Sequence, residues 1–143
     1  MIVKYNINCK DKYEVLSSIA SIARENNNVR DEKLYLEGLI KREEQFTTGF
    51  GNSVAIPHCK GEFVQESCII VMKLENKIDW NSLDNKAVNI IIAFAVAEED
   101  MSNKYLVDIS KIAKHLMDVE FINQIQECNT KDELEKSLLS IIQ

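Results

Sequence analysis

His58 stands in a sequence context that suits nucleophilic chemistry. It directly follows Pro57, which is the only proline in the 143-residue chain. Proline fixes its own φ angle and has no backbone N–H, so the segment that leads into His58 is stiff and the imidazole starts from a defined place. A neutral imidazole is a good nucleophile near neutral pH. A lone histidine at a strand end can also serve only local hydrogen bonds, but the glycine-rich turn before this one favours a functional role.

The segment before His58 carries groups that are suited to holding a phosphoryl group. Gly49 and Gly51 form a glycine-rich turn whose backbone N–H groups can bind phosphoryl oxygens, and Thr48 adds a hydroxyl donor. Arg42 can bind the same group with its guanidinium fork if the turn folds the chain back. Two alternatives stay open: a cation is favoured at any helix C terminus, and threonine before glycine is common in turns. The pattern predicts a histidine that accepts and passes on phosphate.

The expected roles of three further residues follow from their neighbours in the sequence. Phe50 lies between two glycines and is difficult to place in a core, so we expect an exposed contact for a partner protein. Cys59 adjoins His58, and neighbours on a strand point to opposite faces, which argues against a cysteine–histidine nucleophile pair. His115 shares a polar helical face with three residues at steps of three and four, so we expect it to be solvated. Those residues are Lys104, Asp108 and Lys111.

The source of the phosphoryl group is predicted to be another phosphoprotein. The sequence contains no Walker-type loop that ends in Gly-Lys-Ser/Thr and no kinase-like set of aspartates for magnesium. The four cysteines are far apart and there are only two histidines, so we expect neither a metal nor another cofactor. An unrelated hydrolase is disfavoured because the sequence shows no acid–base partner oriented toward His58 or Cys59.

Length, charge and hydropathy limit the class of protein. A chain of 143 residues fits one domain, residues 1–143, and its net charge of −6 argues against a nucleic-acid partner. No apolar run approaches the roughly 20 residues that cross a bilayer, so we expect no membrane insertion. The N-terminal residues lack the pattern of a secretory signal, which favours a cytoplasmic location.

The elements that position the site follow from apolar periodicity and helix caps. The sequence predicts helices over 12–25 and 32–45, a third over 103–117 after an acidic run and a Ser102 cap, and a short one from Asp118 through Cys128. A capping box from Thr130 to Glu133 predicts a final helix. Strands are predicted over 53–57, 68–74 and 88–96. Helices that alternate with strands, one of them apolar on both faces, indicate an α/β domain.

The residues around His58 also resemble the signature of a known family. The pattern is Arg42-Glu43, then Thr48-Gly49-Phe50-Gly51-Asn52, then Ala55-Ile56-Pro57-His58. It resembles the IIA component of the fructose/mannitol class of the phosphoenolpyruvate-dependent sugar phosphotransferase system. The combined motif is specific, and weaker similarity covers nearly the whole chain.

The resemblance implies a fold, a reaction and two partners. The fold is a single mixed β-sheet flanked by helices on both sides. His58 would take phosphate from the phosphocarrier protein HPr and hand it to a cysteine of a IIB protein or domain for sugar uptake, and Arg42 would stabilise the phosphoryl group. The alternative is a regulatory module in which phosphorylation of His58 controls a protein target. The sequence does not specify the sugar, because in this system the membrane component selects it.

Two positions depart from the family pattern. Ser53 occupies a position where the family often has glycine, which is tolerable unless the backbone there has a positive φ angle. Tyr105 aligns with a second histidine that many members carry. Its phenol can offer a hydrogen bond toward His58, but unlike imidazolium it carries no positive charge.

Overall fold

The computed structural model describes residues 1–100 and 103–143 and contains a six-stranded sheet in its described part. The strands are β1 (Ile2–Ile7), β2 (Gly49–Gly51), β3 (Val54–Ala55), β4 (His58–Gly61), β5 (Cys68–Ile78) and β6 (Val88–Ala97). The helices are α1 (Lys12–Glu25), α2 (Glu32–Gln45), α3 (Lys104–His115), α4 (Val119–Glu127) and α5 (Lys131–Ile142).

The sheet is mixed, with β6 at its centre. The order is β1-β5-β6-β3-β2, and β4 pairs with β6 beyond the end of β3. β6 runs antiparallel to β5 and parallel to both β3 and β4. Val54 pairs with Ile90 and His58 pairs with Phe94, so β3 and β4 lie end to end along one side of β6. Ile56 and Pro57 form the break between them, which places His58 at the start of β4.

Helices cover both faces of this sheet, as the family resemblance implies, and the α/β prediction is confirmed. The strands alternate inward and outward, so each face buries its own apolar set. The α1–α2 core includes Leu16, Ile19, Tyr35, Leu39, Met72 and Ile91, and the α3–α5 core includes Ile92, Phe94, Ile112, Leu116, Ile125 and Leu138. Each such side chain contributes about 1.5–3 kcal/mol through burial.

The pairing of β4 with β6 decides which way the His58 ring points. Side chains of paired residues on adjacent strands lie on the same face, and Phe94 belongs to the α3–α5 core. The His58 ring therefore lies on the α3–α5 side, whereas Cys59 packs against the α1–α2 core. This confirms the expectation that Cys59 and His58 point to opposite faces.

Local signals predict the helices well and the short strands poorly. α1 and α2 have the predicted bounds, and Asp11 and Asp31 accept from Glu14 N at 2.8 Å and from Leu34 N at 3.1 Å. The predicted strand 53–57 is only partly right, because just residues 54–55 are extended as β3. β1 and β4 have no counterpart among the predicted strands, β2 forms where a glycine turn is predicted, and the Ser102 cap lies outside the described residues.

The predicted polar face of α3 is only partly right, because Lys104 and Lys111 are exposed but Asp108 is buried. Asp108 is only 2% exposed, whereas Leu106 on the same helix is 53% exposed. The buried aspartate is tolerated because the Lys104 ammonium pairs with it at 2.7 Å. His115 is half-buried, with Nδ1 2.9 Å from the Lys111 carbonyl oxygen and its ring edge-on to Phe121.

Candidate functional site

The imidazole of His58 is half-exposed and held in one orientation. Its Nδ1 lies 2.9 Å from the carbonyl oxygen of Ile56. A carbonyl oxygen can only accept, so Nδ1 carries the proton and Nε2 carries the lone pair. The sequence left open which group fixes the second ring nitrogen, and the structure identifies this carbonyl. The arrangement makes Nε2 the nucleophilic atom.

The two residues before His58 are anchored on different elements. The Ile56 N–H donates to the Thr48 carbonyl at 2.9 Å, and the Pro57 carbonyl accepts from Phe94 N at 3.0 Å. Residues that precede proline favour an extended backbone, which limits how the Ile56 carbonyl can turn. The chain that presents His58 is therefore fixed to the glycine turn on one side and to β6 on the other.

Both glycines of the turn are explained by local geometry. A Cβ on Gly49 would collide with Ser82 Oγ and lie 2.9 Å from Ser82 Cα, so no side chain fits there. Gly51 has a φ of +119°, a conformation that L-residues rarely adopt. The Gly49 N–H donates to Thr47 Oγ1 at 3.1 Å. Direct binding of a phosphoryl group by the Gly49 and Gly51 amides stays a prediction.

Thr48 is buried beneath the turn. Its hydroxyl donates to the Glu43 carboxylate and accepts from Trp80 Nε1 at 3.3 Å. The single proton of the Thr48 hydroxyl is therefore used in a hydrogen bond inside the protein. The sequence instead predicts that this hydroxyl donates to a phosphoryl oxygen. The structure brings Thr48 together with Glu43, a buried residue that is 5% exposed. Sequence reasoning gave Glu43 no role, although its place directly after Arg42 in the motif was an available signal.

Arg42 occupies the last turn of α2 and is half-exposed. One terminal nitrogen, Nη1, donates to the Phe46 carbonyl at 2.8 Å. The structure shows no hydrogen bond between the Arg42 and His58 side chains. α2 packs on the opposite face of the sheet from the His58 ring. A phosphate-stabilising role for Arg42 stays a prediction.

Tyr105 and Phe50 are placed differently from what the sequence suggested. The Tyr105 hydroxyl donates to the Ser67 carbonyl at 3.0 Å, and burial raises the pKa of this phenol. The expected hydrogen bond from Tyr105 toward His58 is not seen among the described residues. Phe50 is half-buried and packs against the α3–α5 core, so only part of its ring is available to a partner.

The Ser53 departure has a measurable consequence. Ser53 has a φ of +67°, the left-handed region in which glycine is favoured. That conformation costs an L-residue about 1–2 kcal/mol, and the greater freedom of glycine in the unfolded chain offsets part of this. We expect Ser53→Gly to raise the free energy of unfolding by about 0.5–1 kcal/mol, measured by urea denaturation.

The matched control for Ser53→Gly is Ser110→Gly, in the middle of α3. There glycine lowers helix propensity, so we expect a loss of roughly 0.5 kcal/mol. Equal losses in both variants would contradict the strain assigned to Ser53.

Two further observations concern what the described residues can bind or span. Within residues 1–100 and 103–143, no group of three or more His, Cys, Asp or Glu side chains could hold a metal ion. None of the helices in these ranges is long and apolar enough to cross a membrane.

The fold has close counterparts among solved structures. It matches the nitrogen regulatory protein IIA-Ntr from Neisseria meningitidis with a TM-score of 0.85 and 22% identity, covering 96% of this chain and 92% of that one. It also matches a complex of mannitol enzyme IIA with phosphorylated mannitol enzyme IIB from Escherichia coli, with a TM-score of 0.80 and 16% identity over 96% and 94%. Because both sequence identities are low, these two matches establish a shared fold and nothing more.

Sequence comparisons establish the family. The chain is 30% identical over 128 residues to the PTS system fructose-like EIIA component of Escherichia coli K12, covering 90% of this chain and 86% of that protein. It spans only 20% of the fructose-specific EIIABC component of Bacillus subtilis, to which it is 29% identical. Residues 2–141 match the model of the phosphoenolpyruvate-dependent sugar phosphotransferase system EIIA 2 family. The chain therefore belongs to this family of phosphotransferase components, the fructose/mannitol class of IIA.

Proposed function

We propose that this protein is a cytoplasmic phosphoryl carrier that takes phosphate from phospho-HPr on His58 and passes it to a cysteine of a IIB protein or domain for sugar uptake. One observation carries the proposal. Nδ1 donates its proton to the Ile56 carbonyl oxygen at an N···O distance of 2.9 Å, so Nε2 presents its lone pair on a half-exposed ring. Membership of the EIIA 2 family supports the same chemistry.

The first transfer is an exchange of one nitrogen–phosphorus bond for another. The lone pair of Nε2 attacks the phosphorus of phosphohistidine on HPr, in line with the bond that breaks. The bonding electrons return to the HPr imidazole, while the Nδ1 proton stays on the ring of His58 beside the Ile56 carbonyl. Arg42 is proposed to approach the phosphoryl oxygens and stabilise their charge. Because the donor is already phosphorylated, the proposed step uses neither a nucleotide nor a metal.

The second transfer moves the phosphoryl group to sulfur. A IIB thiolate attacks the phosphorus, the bond to Nε2 breaks, and the imidazole recovers its lone pair. The likeness to a mannitol IIA that forms a complex with phosphorylated IIB supports a IIB acceptor for this chain. Phe50 is proposed as one of the partner contacts through the exposed part of its ring.

Incubation with radiolabelled phospho-HPr tests the proposal. We expect label on His58, located by mass spectrometry, that is lost in acid and kept in base, as expected for phosphohistidine. Addition of a fructose- or mannitol-type IIB protein should then move the label to a cysteine of IIB. Absence of label, or label confined to serine or threonine, would contradict the carrier function.

A regulatory module is the second candidate, and two observations favour it. The chain shares its fold with a nitrogen regulatory IIA protein at a TM-score of 0.85. Tyr105, at the position where the family resemblance leads us to expect a second histidine, donates its hydroxyl hydrogen bond to the Ser67 carbonyl. In this case His58 would still accept phosphate from phospho-HPr but would not discharge it to any IIB protein tested. Neighbouring genes for IIB and IIC components would favour transport.

A further inference from the structure

We infer that Glu43 is a positioning residue for His58, acting through consecutive hydrogen bonds that pass through Thr48 and Ile56. The importance of this contact for phosphoryl transfer rests on the proposed function. Its effect on the imidazole itself does not, because the ring is oriented in the unphosphorylated protein. The carboxylate lies in the last turns of α2, and its side chain is only 2% exposed.

The first step of the connection joins Glu43 to Thr48. The Thr48 N–H lies 3.1 Å from Oε1 and 3.0 Å from Oε2 of Glu43. The Thr48 hydroxyl also donates to the carboxylate. Because one carboxylate binds both the backbone and the side chain of Thr48, this residue has little freedom to rotate, and the direction of its carbonyl is fixed.

The second step joins Thr48 to the imidazole. The Thr48 carbonyl accepts from the Ile56 N–H at 2.9 Å, and the Ile56 carbonyl accepts from Nδ1 of His58 at 2.9 Å. A shift of Thr48 therefore moves Ile56. A shift of the Ile56 carbonyl in turn breaks the hydrogen bond that keeps the proton on Nδ1. The buried carboxylate thus sets which ring nitrogen carries the lone pair.

The charge of Glu43 is balanced by a residue from another part of the chain. Lys12 Nζ lies 3.3 Å from Oε1 of Glu43 and donates to the Trp80 carbonyl at 3.1 Å. The Trp80 indole in turn donates to the Thr48 hydroxyl. A buried carboxylate that binds several donors and a cation resists displacement better than a neutral group, because charged hydrogen bonds are stronger. Glu43 therefore connects the start of α1 and the β5–β6 connection to the turn before His58.

Glu43→Gln tests this inference, with Glu44→Gln as the matched control. Glu44 is the next residue and is exposed, so its variant removes the same charge without touching the turn. Nitrogen NMR of the imidazole in the unphosphorylated full-length protein should show mainly the Nδ1–H tautomer in the wild type and in Glu44→Gln. We expect Glu43→Gln to shift population to the Nε2–H tautomer. We also expect kcat for transfer from phospho-HPr to fall about tenfold, with KM within about twofold of the wild type.

A second pair of variants keeps the test decisive if Glu43→Gln does not fold. Thr48→Val removes the hydroxyl bond to Glu43 at nearly constant size and should shift the tautomer in the same direction. Thr48→Ser keeps the hydroxyl bond to Glu43 and should show the wild-type ratio of tautomers. A purely structural role would change the free energy of unfolding but not the ratio of tautomers.

The inference is overturned if folded Glu43→Gln, or Thr48→Val in its place, keeps the wild-type tautomer ratio, whatever its kcat. Failure of the proposed function looks different. In that case the wild type is not labelled by phospho-HPr, whereas the tautomer comparison still decides the role of Glu43, because it requires no phosphoryl donor.

Discussion

His58→Ala is expected to abolish phosphorylation by phospho-HPr. The substitution removes Nε2, the nucleophilic atom of the proposed transfer, and the adjacent Cys59 is not placed to replace it. Cys59 points to the opposite face of the sheet, and burial raises the pKa of its thiol, which disfavours the reactive thiolate. The measurement is single-turnover labelling with radiolabelled phospho-HPr, in which the variant should show no label above background.

His115→Ala is the matched control, because it removes the other histidine of the chain. The His115 ring bonds to Lys111 and contacts Phe121 near the end of α3, so its loss should leave labelling at the wild-type rate. Among the residues that the structure describes, the His58 ring makes one hydrogen bond, worth about 1 kcal/mol, so the His58→Ala variant should remain folded. Labelling that survives in folded His58→Ala would show that another residue accepts the phosphate.

The candidate site could be predicted from the sequence because the signals that point to it are local. The proline, the glycines and the histidine of the motif are adjacent in sequence, and the order of residues alone shows that the turn leads into His58. The helix caps are local in the same way. Thr130 accepts from Glu133 N at 3.2 Å, as the capping box predicts, although the Glu133 carboxylate binds Asn129 N rather than the N–H of Thr130.

The support of the site was not predicted because its contacts are distant in sequence. A glutamate in the last turns of a charged helix is normally solvated. Glu43 can be buried because Lys12, which is 31 residues away in sequence, donates to its carboxylate. Trp80, also distant in sequence, donates to the hydroxyl of Thr48, the residue that Glu43 binds. Asp108 misled the assignment of the α3 faces for a similar reason, since apolar periodicity alone treats every aspartate as exposed. β4 could not be predicted from apolar periodicity, because Cys59 is the only apolar side chain among its four residues.

Arg42→Ala is expected to slow phosphoryl transfer to His58 by about 100-fold, the typical loss when one donor to a developing charge is removed. The guanidinium uses Nη1 to bind the Phe46 carbonyl, and its remaining N–H groups can face a phosphoryl oxygen. Arg42→Lys should recover only part of the rate, because an ammonium carries the charge but lacks the planar fork. Rapid-quench measurement of single-turnover labelling gives the rate for each variant.

Lys41→Ala separates this role from a structural one. Lys41 is the exposed neighbour of Arg42 in the same helical turn, so its variant removes the same charge at the end of α2. Both substitutions weaken the favourable interaction of a cation with the helix C terminus, and each should lower the free energy of unfolding by about 0.3–1 kcal/mol. Only Arg42→Ala should lower the transfer rate. The proposed role of Arg42 is contradicted if both variants transfer phosphate at the wild-type rate and Arg42→Ala is the less stable of the two. In that case Arg42 stabilises the end of α2 through its hydrogen bond to the Phe46 carbonyl, and other donors stabilise the phosphoryl charge.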